Sequence, residues 1–80
     1  MSWNYRVMKR EVKTPSGTEE FYAIYEVYYD KNNNVKMWSE DPVHIQGETL
    51  KELKQDLEYY AEALNKPVLN YNELEEKFNV

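Results

Sequence analysis

The chain has 80 residues, of which 15 are acidic and 10 basic, and a formal net charge of −5 makes nucleic acid an unlikely partner because phosphates are repelled. It contains no cysteine, which excludes disulfides, thiol catalysis and thiolate metal sites. The length predicts one domain over residues 1–80 with a small core. No apolar run is long enough for a membrane span or a signal peptide, so we expect a cytoplasmic protein with no membrane partner.

Alternating side chains predict two long antiparallel strands at the start of the chain, over residues 3–12 and 20–29. The polar segment 13–18 contains Pro15 and Gly17, which suit a turn between the strands. Both faces of the second strand carry apolar residues. One face has Phe21, Ala23, Tyr25, Val27 and Tyr29, and the other has Tyr22, Ile24 and Tyr28.

A third strand is predicted over residues 35–39, after a hairpin loop at 30–34 in which asparagine suits positive φ. The loop resembles a calcium site only faintly, since it lacks the required glycine and the closing glutamate. Pro42 has no amide to donate and argues against a central strand in the segment that follows. An edge strand over residues 43–46 stays open as an alternative.

One long helix is predicted over residues 50–65. Thr49 suits the N-cap, Glu52 can complete a capping box with the Thr49 amide, and Gly47 suits the turn just outside. The residues on its apolar stripe are Leu50, Leu53, Leu57, Tyr60, Ala61 and Leu64. We expect this stripe to bury against the odd-numbered residues of the second strand.

The predicted fold class is therefore α+β, a three-stranded antiparallel meander packed on one long helix, with a C-terminal tail. The tail comprises an extended segment over 67–71 and a short helix capped by Asn72 and ending near Phe78. Because the long helix can cover only one sheet face, the other face needs the tail or a second copy of the chain. We expect the tail to cover part of it and a homodimer the remainder.

The segment Gly47-Glu48-Thr49-Leu50-Lys51-Glu52, placed after three strands, resembles the start of the helix in HicB-like antitoxin domains, over about residues 3–64. That resemblance implies a regulatory protein whose partner is a basic toxin ribonuclease. The chain departs from the family pattern in having no appended DNA-binding module and in its segment 38–46. Segments 3–7, 26–30, 38–42 and 66–69 look like a family of small bacterial proteins of uncharacterised function.

No pattern of a catalytic, cofactor or metal site is found, so we expect a non-enzyme without cofactors, most simply a small protein-interaction or regulatory module. Its partner would be basic if the acidic helix surface is the docking site. The candidate interaction surface comprises Tyr22, Ile24, Tyr28, Glu52 and Glu58. The alternative is a small enzyme or ligand-binding protein that uses the loop residues Trp38, Glu40, Asp41 and His44.

Overall fold

The computed structural model describes residues 2–45 and 47–78 and is α+β, with a mixed four-stranded sheet and two helices. The strands are β1 (Ser2–Thr14), β2 (Gly17–Tyr29), β3 (Val35–Trp38) and β4 (Leu69–Asn70), and the helices are α1 (Leu50–Glu62), continued by a 3-10 turn at Ala63–Asn65, and α2 (Tyr71–Phe78). The strand order is β3-β2-β1-β4. The predicted meander is present, and β4 adds a short fourth strand parallel to β1.

The β1–β2 hairpin fixes which side chains share a sheet face. Its register pairs Thr14 with Gly17, so the turn is short, and Gly17 takes the φ of +134° that favours glycine. The same register places Tyr5 opposite Glu26. Trp3, Tyr5 and Val7 therefore share a face with the even-numbered residues of β2. We call this the α1 face, and the opposite side the α2 face.

The core of the molecule lies on the α2 face. Met8, Tyr25 and Val27 are fully buried there, and Tyr71 of α2 is 2% exposed. Around them pack the partly buried residues Ala23, Tyr29, Val35, Trp38, Leu69 and Leu74. The prediction that the tail covers Tyr22, Ile24 and Tyr28 is therefore wrong, because the apolar surface of α2 packs on the odd-numbered side of β2.

Helix α1 begins at Leu50 after the Thr49 cap, as predicted, but Glu52 bonds the Glu48 amide and not the predicted Thr49 amide, and the helix packs differently from expectation. The Thr49 hydroxyl accepts from the Glu52 amide at 3.1 Å, while the Glu52 carboxylate accepts from the Glu48 amide at 3.1 Å. Tyr60 is buried, but on Tyr5 of β1, with ring centroids 4.7 Å apart. The expected burial against odd-numbered β2 residues is wrong, since those residues lie on the α2 face.

Most of the predicted apolar stripe of α1 is exposed. Leu50, Leu57 and Leu64 are 81%, 44% and 72% exposed, and Leu53 is half-buried. The helix rests on β1 along one edge of its stripe. A large part of its apolar surface is therefore exposed among the described residues.

Two asparagines organise the tail. The Asn70 side chain accepts from the Glu73 amide at 3.0 Å, so Asn70, not the predicted Asn72, caps α2. The Asn72 amide instead pairs with the backbone of Glu11, accepting from its N–H at 2.8 Å and donating to its carbonyl at 3.2 Å. This side chain continues the edge pairing that β4 begins.

The segment after β3 stays along the outer edge of β2. The Ser39 and Val43 amides donate to the carbonyls of Glu26 and Ile24, each at 2.9 Å. Residues 43–45 nevertheless form no strand, so the alternative of an edge strand over 43–46 is not found among the described residues, and Gln46 lies outside them. In the preceding loop, Asn33 takes the expected positive φ, at 64°.

The molecule is flat, with extents of 40 × 38 × 20 Å and a radius of gyration of 14.2 Å. A compact domain of 80 residues has a radius of gyration of about 11.6 Å. The 40 Å extent is close to the length of the 13-residue strands β1 and β2, at about 3.3 Å per residue. Within the described ranges, neither helix has the length and hydropathy to cross a bilayer.

Candidate functional site

A cleft of about 480 Å³ lies between the start of β1 and the second half of α1. Its lining residues are Trp3, Asn4, Tyr5, Asp56, Tyr59, Glu62 and Lys66. We call it the aromatic cleft. It combines three aromatic rings with two carboxylates and one ammonium group.

The rings of the aromatic cleft are held by one another and remain accessible. The rings of Trp3 and Tyr5 pack edge to face, with centroids 5.2 Å apart and planes at 88°. The Trp3 ring also packs against the Tyr28 ring, with centroids 6.3 Å apart. Tyr5 is fixed in turn by Tyr60. Trp3 and Tyr59 are 53% and 52% exposed. The exposed aromatic surface of the cleft thus belongs to rings that pack against one another.

The carboxylates of the aromatic cleft come from one side of α1. Asp56, Tyr59 and Glu62 follow one another at intervals of three, which places them along the same helix flank. The ion pair found among the described residues, Lys9 with Glu20 at 3.5 Å, involves neither carboxylate. Within the part of the chain that the structure describes, no ion pair therefore neutralises the two carboxylates that border the rings.

Asp56 also lines an adjoining acidic groove of about 570 Å³, together with Gly47, Glu48 and Glu52. The negative potential of the aromatic cleft thus extends toward the start of α1. Burial, followed by the neighbouring Tyr60, Glu26 and Asp56, raises the pKa of Tyr5 to about 12. The Tyr5 phenol therefore keeps its proton to a higher pH than an ordinary tyrosine.

Exposed aromatic rings beside carboxylates bind cations well, because the ring faces carry negative electrostatic potential and the carboxylates add net charge. The chain contains an internal example of the first contact. The Arg10 guanidinium lies 4.0 Å from the ring centroid of Tyr71 on the α2 face. Guanidinium and ammonium groups are therefore the chemical groups that the aromatic cleft suits best.

The four residues of the alternative loop site are not brought together. Trp38 packs on the α2 face against Tyr71 and Phe78, with centroids 6.1 and 5.6 Å apart. Glu40 is exposed and contributes its backbone carbonyl to Arg10 and Tyr71, each at 3.2 Å.

Asp41 and His44 do line one shallow cleft of about 310 Å³ over Tyr5 and Tyr60. Both side chains are exposed, and the hydrogen bond that His44 makes among the described residues is through its carbonyl, with the Tyr60 hydroxyl at 3.3 Å. The described part of the chain contains no group of three or more His, Cys, Asp or Glu residues suited to a metal. The geometry offers no set of convergent reactive groups here.

The predicted interaction surface is divided between two places. Tyr22 is 64% exposed on the α1 face, while Ile24 and Tyr28 of the same face are half-buried. Glu52 lies in the acidic groove and is engaged in capping α1, and Glu58 is exposed on the other flank of the helix. Only Tyr28, through Trp3, and Glu52, through the groove, adjoin the aromatic cleft.

Sequence reasoning did not single out Trp3, Tyr5, Asp56, Tyr59 or Glu62 as site residues. A signal was present in the helix, where Tyr59 stands on the polar flank with a carboxylate three residues before and three after it. The contribution of β1 had no signal in the sequence, because it depends on which sheet face receives α1.

Comparison of the chain with protein-family models, with curated proteins and with solved structures finds no match.

Proposed function

We propose that this protein is a small non-catalytic interaction module that binds a basic protein partner through the aromatic cleft. The single observation that carries the proposal is the set of exposed rings, Trp3 and Tyr59, bordered by the carboxylates of Asp56 and Glu62. A lysine or arginine side chain of the partner would lie against the rings, and neighbouring basic residues would follow the acidic groove.

The charge of the chain supports this choice of partner. A net charge of −5 favours encounter with a basic surface and predicts that association slows as salt is added. The HicB-like resemblance also suggests a positively charged partner, a basic toxin ribonuclease. Lys66 is the one cation in the lining of the aromatic cleft, so it would compete with the incoming side chain.

A titration with a hexa-arginine peptide tests the proposal, read out by the indole N–H resonance of Trp3 in a nitrogen-15 spectrum. The Trp3→Phe variant identifies that resonance against Trp38. We expect the double variant Asp56→Asn/Glu62→Gln to bind about tenfold more weakly, which corresponds to about 1.4 kcal/mol. Lys66→Gln should bind several-fold more tightly.

The matched control is Glu19→Gln/Glu73→Gln, which removes the same charge at two exposed positions away from the aromatic cleft. It should change the affinity by less than about twofold, because screened surface charges act weakly at a distance. Equal weakening by both double variants would reduce the binding to nonspecific charge attraction and remove the aromatic cleft from the proposal.

A further inference from the structure

Three partly or largely exposed leucines lie along one flank of α1 and the 3-10 turn that continues it. Leu50 and Leu57 are exposed and seven residues apart on α1, so they lie nearly in line at about 10 Å from each other, and the exposed Leu64 follows at the same interval in the 3-10 turn. Leu53 and Tyr60, on the neighbouring line of the helix, face the sheet. We call the three exposed residues the leucine row. Among the described residues, most of the surface of Leu50 and Leu64 and 44% of that of Leu57 is exposed.

Charged residues flank the leucine row in a definite order. Lys51 and Lys54 precede Glu58 on the same flank, and all three side chains are exposed. None of them takes part in an ion pair among the described residues. A flank that is basic first and acidic later complements itself when two copies run antiparallel about a two-fold axis, because the same flank of both copies then meets in reversed order.

We propose that the leucine row binds a second copy of this chain, as an antiparallel pair of α1 helices related by a two-fold axis near Leu57. In that arrangement Leu50 of one copy meets Leu64 of the other, and Leu57 meets its own counterpart. Lys54 of each copy then lies about 3 Å along the helix axis from the level of Glu58 of the other, within reach of its long side chain. The contact is isologous, with both copies using the same surface.

The shape of the chain supports this occupant. The radius of gyration of 14.2 Å exceeds the compact value for this length, and only a few residues on each sheet face are fully buried. A second copy on the leucine row would add a second apolar layer where α1 lacks one. Tyr59 and Asp56 lie on the opposite flank of α1, so the aromatic cleft stays open, and the two proposals are independent.

Sedimentation equilibrium of the full chain at tens of micromolar tests the proposal. We expect twice the 9.7 kDa mass of one chain, and a monomer for Leu50→Glu and for Leu57→Glu, with the dissociation constant raised at least 100-fold. Leu50 is largely in solvent, so its replacement leaves the monomer folded, as far-ultraviolet circular dichroism should show. The matched control is Tyr22→Glu, which places the same charge on the exposed part of the α1 face and should leave the dimer intact.

Charge reversal tests the antiparallel direction. Lys54→Glu alone should weaken the dimer about tenfold at low salt, and adding Glu58→Lys should restore it, because the facing pair is then reversed as a whole. A wild-type chain that remains monomeric at 100 micromolar would overturn the proposal. So would a dimer broken by Tyr22→Glu and unaffected by Leu50→Glu, or a Lys54→Glu defect that Glu58→Lys deepens.

Discussion

The ring of Tyr60 meets the ring of Tyr5 edge to face, with centroids 4.7 Å apart and planes at 74°. Tyr60 is the buried residue of α1, while Leu53 is half-buried and Leu57 is 44% exposed, so this contact is a principal attachment of the helix to the sheet. It also holds Tyr5 in the wall of the aromatic cleft. The position of the helix and the shape of the candidate site thus depend on the same pair of tyrosines.

Replacing Tyr60 by alanine should therefore cost about 3 kcal/mol of unfolding free energy, through lost burial and a lost aromatic pair. Tyr59→Ala, one residue earlier on the exposed flank, should cost less than about 0.5 kcal/mol. Urea titration at a low, fixed protein concentration measures both. Similar losses for the two variants would place the helix in a different rotation on the sheet.

The stability should fall in alkaline solution as the pH rises from 10 to 12. The pKa of Tyr5 is raised from 10.0 to about 12, mainly by burial, so the folded state favours the neutral phenol. Above pH 10 the unfolded chain releases that proton and the folded chain retains it. The contribution is therefore complete below pH 10 and is lost as the pH approaches 12.

Tyr5→Phe should remove part of this pH dependence, on the order of 1 kcal/mol, since a phenyl ring has no proton to release. Burial also raises the pKa of Tyr28 and of Tyr71, so some slope should remain in the variant. Urea titrations at several pH values between 9 and 12 provide the comparison, with Tyr22→Phe as the control. An unchanged slope in Tyr5→Phe would assign the effect to other groups.

Gly47→Ala should destabilise the start of α1 by about 1–3 kcal/mol. A Cβ atom at residue 47 would lie 2.5 Å from the Leu53 backbone nitrogen and 2.9 Å from its Cα, which no rotation of a side chain can relieve. Glu48→Ala is the control, because it keeps the amide that donates to Glu52. Circular dichroism measures the Tm of each variant. Equal Tm values for Gly47→Ala and Glu48→Ala would contradict the close approach at residue 47.

The elements of the fold could be predicted from local patterns. Alternation gave the three meander strands, and Thr49 with Glu52 located the start of α1, because capping depends on residues close in the chain. Asn70 was not recognised as the cap of α2, since Asn72 is followed by a glutamate at the same spacing. Local signals of equal strength left that choice undecided.

The pairing of faces could have been worked out but was not. A turn between Thr14 and Gly17 fixes the register of the whole hairpin, and a shift by one residue would exchange the faces. The correct register would have placed Trp3 and Tyr5 on the same sheet face as Ile24. The choice of face by each helix is harder, because both faces carry aromatic residues and the decision rests on tertiary packing. The aromatic cleft follows from that decision.

The pairing of Asn72 with Glu11 has a consequence for the outer edge of the sheet. β1 extends over 13 residues, whereas β4 covers only two positions of its free side. The Asn72 amide occupies a donor and an acceptor just beyond them, so a strand from another molecule meets an interrupted ladder. A long uncovered strand edge is a common route to aggregation, and the Asn72 side chain hinders strand pairing at Glu11.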